Sequence, residues 1–318
     1  MSKIYVTRMI PEAGIEKLKK EGHEVDINPD DRVLSKEELI KALKNKEYDA
    51  VLCLLTDKID TDVFEAAGAQ CKVFANYAVG YDNIDLDAAA EKNILISNTP
   101  GVLSETVAEH TFALMLAISH RIAEADKYTK AGAYKGWAPK LLLGNDLSGK
   151  VFGVVGLGRI GSLVAKHAKF GFNAQVLYYD LNRNEEFEKE TGAEYKESVD
   201  ELLKEADYVS VHVPLLDSTK HLINKERLSL MKNSAYLVNT SRGPVIDEEA
   251  LVDALESNQI KGAALDVFEN EPYKAKLVEI DRCILTAYMG SVSVDCRSQM
   301  ESEATGRSCS FSYRKTFS

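Results

Sequence analysis

The chain has no apolar run that approaches the roughly 20 residues of a membrane-spanning helix. It has no excess of basic charge either: 39 Lys and Arg stand against 50 Asp and Glu, a formal net charge of -11. That balance argues against nucleic acid or an anionic membrane as the main partner. An anionic small molecule would then need a local positive site, so an arginine in a cleft gains interest. The five cysteines, Cys53, Cys71, Cys283, Cys296 and Cys309, are odd in number and show no CxxC pairing. They read as reduced thiols rather than a disulfide framework or a metal site, and no metal is expected. Met1-Ser2-Lys3 leads straight into the strand-like Ile4-Tyr5-Val6 with no signal-peptide core, so the protein is expected in the cytoplasm. No repeat of 20–50 residues and no low-complexity tract interrupts the chain.

At 318 residues, 45% of them hydrophobic, the chain suits two domains with a core each. The stretch that organises it is Val151-Phe152-Gly153-Val154-Val155 running into Gly156-x-Gly158-x-x-Gly161, followed by the helix-like Ser162–Lys169. An unbroken apolar run reads as a buried parallel strand. Gly156 allows a tight turn, Gly158 lets backbone approach a pyrophosphate, and Gly161 lets the helix pack close on the strand. The helix N-terminus then offers N–H groups and a positive dipole end to phosphates. The next strand, Ala174–Tyr179, ends at Asp180, placed where a carboxylate takes the adenosine ribose hydroxyls. Asp180 favours NAD over NADP, with Arg183 as the opposing signal, a cation able to swing toward a 2′-phosphate.

Residues 1–100 alternate short strands and helices but lack this glycine fingerprint. Ser104–Lys130 reads as one long helix that could cross between domains. Residues 151–288 repeat the βα alternation, and Gly156, Asp180, Pro214, Arg242 and Asp266 all fall at the carboxyl ends of strands, where such sheets bind ligands. Ser291–Ser318 is rich in Ser and Arg, poor in aliphatics, and reads as weakly structured.

Six motifs occur in order: Asn76-Tyr77-Ala78-Val79-Gly80-Tyr81-Asp82-Asn83-Ile84-Asp85, Asn98-Thr99-Pro100-Gly101, Val155–Gly161, Val213-Pro214-Leu215, Asn239-Thr240-Ser241-Arg242-Gly243, and Leu265-Asp266-Val267-Phe268-Glu269-Asn270-Glu271-Pro272. With them the chain resembles the D-isomer-specific 2-hydroxyacid dehydrogenases, most closely the glyoxylate/hydroxypyruvate reductase branch. The resemblance implies an α/β protein of two doubly wound parallel-sheet domains, the second a Rossmann dinucleotide-binding domain inserted into the first. The substrate domain is expected over 1–100 with 289–318 returning to it, the NAD-binding domain over 101–288, and the cleft at their junction. The implied cofactor is NAD, bound by Gly156, Gly158, Arg159, Ile160, Gly161, Asp180, Pro214, Thr240 and Asp266, the last orienting the nicotinamide amide. The implied substrate is a short 2-oxo acid, its carboxylate and carbonyl held by Arg242 and its carboxylate also by the backbone N–H groups of Val79 and Gly80. Glu271 is the implied partner of a catalytic histidine, and a homodimer is implied through the Ser104–Lys130 helix.

Two departures qualify the resemblance. The family ends its nucleotide domain with Thr-Pro-His, an apolar residue and Gly, whereas this chain reads Thr286-Ala287-Tyr288-Met289-Gly290. Tyr288 thus stands at the acid/base position, where a phenol (reference pKa near 10) replaces an imidazole (about 6.5). Among the histidines, His212 lies at a strand end and reads as a satisfied strand histidine. His23, His110, His120, His167 and His221 are placed away from the expected cleft. The second departure is Glu301–Ser318, which lacks the apolar-faced helix of the family, as a shifted reading frame or a degenerate gene end would produce. Two functions follow: an NAD-dependent 2-hydroxyacid dehydrogenase weakened by Tyr288, or a dinucleotide-binding pseudoenzyme acting as a sensor or oligomer partner.

Overall fold

The apolar runs become strands, and those at the centre of each sheet are buried on both faces. The computed structural model describes residues 1–271, 273 and 275–314, with the side chains of its last helix described through Gly306. Pro272 of the sixth motif, the thiol of Cys309 and residues 315–318 of the tail lie outside the described residues. The chain divides into two compact units, Met1–Leu103 with Val292–Ser318, and Ser104–Ser291.

In the first unit β1 (Lys3–Val6), α1 (Glu12–Lys20), β2 (Glu24–Ile27), α2 (Lys36–Lys44), β3 (Ala50–Cys53), α3 (Thr61–Ala67), β4 (Val73–Asn76), α4 (Leu86–Glu91) and β5 (Leu95–Ser97) alternate. The sheet runs β2-β1-β3-β4-β5, and every neighbouring pair is parallel. Helix α2 starts with the capping box that Ser35 and Glu38 announce: the Ser35 side chain accepts the Glu38 N–H and the Glu38 carboxylate accepts the Ser35 N–H.

The second unit opens with α5 (Ser104–Ser119) and α6 (Ile122–Lys130). The single long helix expected here is therefore two. Arg121 sits in the left-handed region at φ 56°, and its guanidinium is held by Glu124, so the helical path breaks between them. Both pieces belong to the second unit, and neither crosses out of it. Then follow β6 (Val151–Val155), α7 (Arg159–Phe172), β7 (Gln175–Tyr179), α8 (Glu185–Thr191), β8 (Glu194–Tyr195), α9 (Val199–Glu205), β9 (Tyr208–Val211), α10 (Lys225–Leu230), β10 (Tyr236–Asn239), α11 (Glu248–Glu256), β11 (Gly262–Leu265) and β12 (Cys283–Leu285). The all-parallel sheet runs β12-β11-β10-β9-β6-β7-β8, so the strand order reverses between β6 and β9.

Why these strands read as unbroken apolar runs is visible in where alternate residues go. Phe152, Val154, Val176, Tyr178, Tyr208, Tyr236 and Val238 join one core with Phe112, Met115 and Val164. Val155, Leu177, Val209, Val211, Leu237 and Leu265 join the other, with Leu202, Leu251 and Leu255. Rings continue across strands on the first face: Phe152 stacks on Tyr208, and Tyr208 on Tyr236 at 5.3 Å between centroids.

The tail expected to be weakly structured forms a helix, α12 (Val294–Arg314), in the first unit. Its buried residues explain the difference. Cys296, Met300 and Ala304 recur every fourth position, and Glu301 and Thr305 lie beside them, all at most 2% exposed. Small and polar residues replace aliphatics on this face because α1 comes close: a Cβ at Gly14 would strike Glu301 and Thr305. Tyr77 donates its hydroxyl hydrogen to the carbonyl of Arg297 at 3.0 Å. Burial pushes the Glu301 carboxyl above its ordinary range, against the lowering effect of the Gly14 and Ile15 N–H groups in α1.

The described cysteines Cys53, Cys71, Cys283 and Cys296 are free thiols, and no cluster that could hold a metal occurs among the described residues. No described helix is long and apolar enough to cross a membrane.

Candidate active site

The glycine turn stands at the point where strand order reverses. Gly156 adopts φ 95°, open to glycine but strained for other residues, and its N–H donates to the Tyr179 carbonyl at 2.8 Å. A Cβ there would press on the His212 backbone at 2.8 Å, so the turn after β6 lies against the segment after β9. Gly158 caps α7, whose first turn contains Arg159 and Ile160, and a Cβ on Gly158 would meet no protein atom within 4 Å. A Cβ on Gly161 would overlap the carbonyl of Gly156. Three glycines thus have three causes: backbone angle, an open approach, and helix-to-turn packing.

Asp180 closes this end of the sheet. One carboxylate oxygen accepts the Leu157 N–H at 2.7 Å and the other the Asn182 N–H at 3.2 Å. Leu157, Asp180, Asn182, Arg183, Asn184 and Glu185 line a recess of about 470 Å³. The donor set fits a dinucleotide: an open glycine at a helix N-terminus for the pyrophosphate and a carboxylate at the rim of a recess for the ribose.

The second cluster is built by the ends of β10, β11 and β12. The Asn239 side chain donates to the Arg242 carbonyl at 2.9 Å and accepts from the Ser241 N–H at 2.9 Å, folding the turn that carries Arg242. Directly after it, Gly243 packs so closely on Phe268 and Glu269 that a Cβ would overlap their backbone. The Asn239–Gly243 and Leu265–Glu271 motifs therefore abut. Arg242 Nη1 donates to the Ser241 carbonyl at 2.8 Å and to the Tyr288 hydroxyl at 3.0 Å.

Asp266, 1% exposed, organises the loop that bears Tyr288. Its carboxylate accepts from the Thr286 hydroxyl at 2.6 Å, the Met289 N–H at 2.7 Å and the Gly290 N–H at 2.7 Å. His110 Nε2 of α5 lies 3.2 Å from the same carboxylate. Burial raises the pKa of Asp266, but the donors from His110, Thr286, Met289 and Gly290 outweigh it and hold the carboxyl below its ordinary range. The Asp266 carbonyl also accepts the Tyr288 N–H at 3.0 Å, and Tyr288 itself sits at φ 56°. Neighbouring Thr240 is buried, 3.0 Å from the Thr111 hydroxyl.

The other expected site residues are placed as follows. Glu271 is exposed and accepts the Phe268 N–H at 3.2 Å. Pro214 is exposed, and its carbonyl accepts from the Thr219 hydroxyl at 2.6 Å. In the first unit, the carbonyls of Val79 and Gly80 accept from the side chains of Asn98 and Asn76, each at 2.8 Å. His212 Nε2 lies 2.7 Å from the Ser210 hydroxyl, and desolvation pushes its pKa down to about 3, so it is a neutral strand histidine. His110 corrects the expectation: placed away from the site on helical context alone, it lies against Asp266 and Thr286. Nothing in its local sequence marks it, because its partners lie more than 150 positions downstream.

Residues 112–290 match the family model described as D-isomer specific 2-hydroxyacid dehydrogenase, NAD binding domain. A glyoxylate reductase of Korarchaeum cryptofilum is 47% identical over 301 residues, which cover 94% of this chain and 89% of that protein. The crystal structure of a glyoxylate reductase from Paecilomyes thermophila is 31% identical, with TM-score 0.86 over 97% of this chain and 94% of that one. The D-lactate dehydrogenase of Aquifex aeolicus, solved with NAD and lactic acid, is 29% identical, with TM-score 0.86 over 98% of this chain and 95% of that one.

Proposed function

The chain belongs to the D-isomer specific 2-hydroxyacid dehydrogenase family and is an NAD-dependent oxidoreductase between 2-oxo and 2-hydroxy acids, and on that premise we propose that it reduces a short 2-oxo acid of the glyoxylate or hydroxypyruvate type. The observation that carries the reading is the Arg242–Tyr288 pair, 3.0 Å apart at the strand ends of the NAD-binding domain. Arg242 binds the substrate carboxylate and carbonyl, because a planar guanidinium donates a paired fork of hydrogen bonds. Val79 and Gly80 of the first unit, which is the substrate domain in this reading, offer backbone N–H groups to the carboxylate. NADH supplies the hydride when bound. Gly156, Gly158, Arg159, Ile160 and Gly161 hold its pyrophosphate, Asp180 its ribose, and Pro214, Thr240 and Asp266 the nicotinamide end. Asp266 acts there through the 286–290 loop, whose N–H groups already engage its carboxylate.

Tyr288 is the proton donor to the developing alkoxide, and Glu271 is the acidic partner that the family resemblance assigns to this position. A neutral phenol is a weaker acid than an imidazolium, so turnover is slow. The glyoxylate reductase relatives do not favour a sensor without turnover. The test is NADH oxidation with glyoxylate run beside an NADH binding titration. Slow turnover is expected, and binding with no turnover on glyoxylate or hydroxypyruvate refutes the substrate assignment.

NADH is expected to bind more tightly than NADPH, because Asp180 repels a 2′-phosphate and accepts the ribose hydroxyls. Dissociation constants for the two reduced cofactors check this, and tighter NADPH binding contradicts it.

We assign the enzyme to the cytoplasm, since its described cysteines are free thiols of the kind a reducing compartment maintains. We also assign a homodimer, with α5 and α6 in place of the single long helix as its interface elements. Sedimentation at micromolar concentration should give twice the chain mass. A stable monomer with a native circular dichroism spectrum would refute it.

A further inference from the structure

Arg183 is the one cation among the residues lining the Asp180 recess, and it is committed elsewhere. Its Nε donates to one oxygen of Glu188 at 2.9 Å and its Nη2 to the other at 2.8 Å. Such a two-pronged pair fixes the guanidinium in plane and position as well as in charge. The guanidinium also lies over the Tyr195 ring, 5.8 Å from its centre.

Glu188 is fixed in turn from beneath. Its side chain is 16% exposed, against 56% for Arg183. The fully buried Tyr178 donates its hydroxyl hydrogen to Glu188 at 2.7 Å and accepts the Asn184 N–H at 2.8 Å. Arg183 and Tyr178 hold the Glu188 carboxyl down at about 2, so it is charged at any working pH. With Arg183 paired, Asp180 and Glu185 leave the recess with negative side chains and no uncommitted cation.

We propose that Glu188 is a cofactor-specificity residue, which rejects NADPH by keeping the Arg183 guanidinium paired and so withholding it from a 2′-phosphate. The inference rests on the assignment of Asp180 to the adenosine ribose. Asp180 alone excludes a 2′-phosphate by repulsion. Glu188 withholds the cation that would compensate for it. A Rossmann site that accepts NADP needs such an arginine beside the ribose. This chain has the arginine at the right loop and a carboxylate that keeps it occupied. The clamp acts on NADPH alone, because the ribose hydroxyls of NADH make no demand on Arg183.

The experiment is a fluorescence titration of NADH and NADPH, at one ionic strength, on the full chain and four variants. Glu188→Gln keeps an acceptor for Tyr178 and removes the charge. It should tighten NADPH binding by about ten-fold, the scale of a charge-assisted contact, and leave NADH within about two-fold. NADH stays preferred because Asp180 remains. Glu188→Gln with Arg183→Gln should lose the gain. If the gain persists in that double variant, removal of negative charge and not release of Arg183 explains it, and the clamp is wrong. Unchanged NADPH affinity in a folded Glu188→Gln protein also overturns the proposal. Arg183→Gln alone should leave NADPH affinity unchanged, since the cation is already withheld; weaker NADPH binding there would mean that Arg183 serves the phosphate in the parent protein. Asp180→Asn tests the premise separately. It should weaken NADH, and if it does not, the ribose lies elsewhere and the clamp falls with that assignment.

Discussion

Tyr288→His is expected to raise NADH-dependent reduction of glyoxylate by about 10²–10⁴-fold, the range that a positioned general acid contributes. The backbone favours the change. Tyr288 sits at φ 56°, a left-handed conformation in which histidine is enriched over most side chains, so the variant should fold as the parent does. Its loop is held by Asp266 through the Thr286 side chain and the Met289 and Gly290 N–H groups, none of which involves the side chain being replaced. NADH affinity should barely move, because the cofactor is assigned mainly to Gly156–Gly161 and Asp180. The rate should fall as pH rises through the pKa of the new imidazolium, since the protonated form delivers the proton. The Arg242 guanidinium beside position 288 disfavours the imidazolium and a Glu271 carboxylate favours it, so the pH of this fall reads the balance of the two. Adding Glu271→Gln should move it to lower pH. A folded, NADH-binding Tyr288→His protein that turns over no faster than the parent would remove Tyr288 from the acid/base role.

Gly161→Ala is expected to destabilise the protein by up to about 2 kcal/mol and to weaken NADH binding with it. Two effects of opposite sign compete. Ala in place of Gly within a helix ordinarily stabilises by about 1 kcal/mol. Here the new methyl would overlap the carbonyl oxygen of Gly156, a backbone atom that cannot rotate away, and overpacking costs typically about 1–3 kcal/mol. The clash should win, because relief requires α7 to move off β6 and the turn between them to open. Gly158→Ala is the counterpart. Its Cβ meets no protein atom within 4 Å, so stability should hold while NADH affinity drops, the methyl standing where the pyrophosphate approaches. Thermal denaturation with and without NADH separates the two variants. A parent-like melting temperature for Gly161→Ala would show that the packing role is wrong.

The part of the site nearest the glycine motif was legible because its causes are local. Gly156, Gly158, Gly161 and Asp180 follow one another through a strand, a turn, a helix and a strand, so spacing alone brings them to one end of the sheet. The Arg242–Tyr288 pair was half legible: Arg242 could be assigned to a strand end and Tyr288 to its position by the family motif, but no pattern says that the two side chains lie 3.0 Å apart. His110 was misplaced because a helical residue shows its periodicity and not the loop it faces. The Arg183–Glu188 pair was invisible, since the sequence displays Arg183 as a cation three residues after Asp180 and cannot display that its charge is taken.

The helices show the same division. Ser104–Lys130 has continuous helical composition, and only the left-handed Arg121, held by Glu124, ends α5 and begins α6. Helix α12 has too few aliphatics to be read as buried, yet Cys296, Met300 and Ala304 are covered because Gly14 lets α1 approach. By itself the sequence determined the two-faced parallel sheets, the strand ends and the glycine turn between a strand and a helix. These follow from period, residue type and short-range spacing. Only the tertiary structure decided which charges are committed to one another, which face of the last helix is buried and which distant residue steadies the Tyr288 loop. Those depend on contacts between segments far apart in the chain, and such contacts leave no mark on either segment alone.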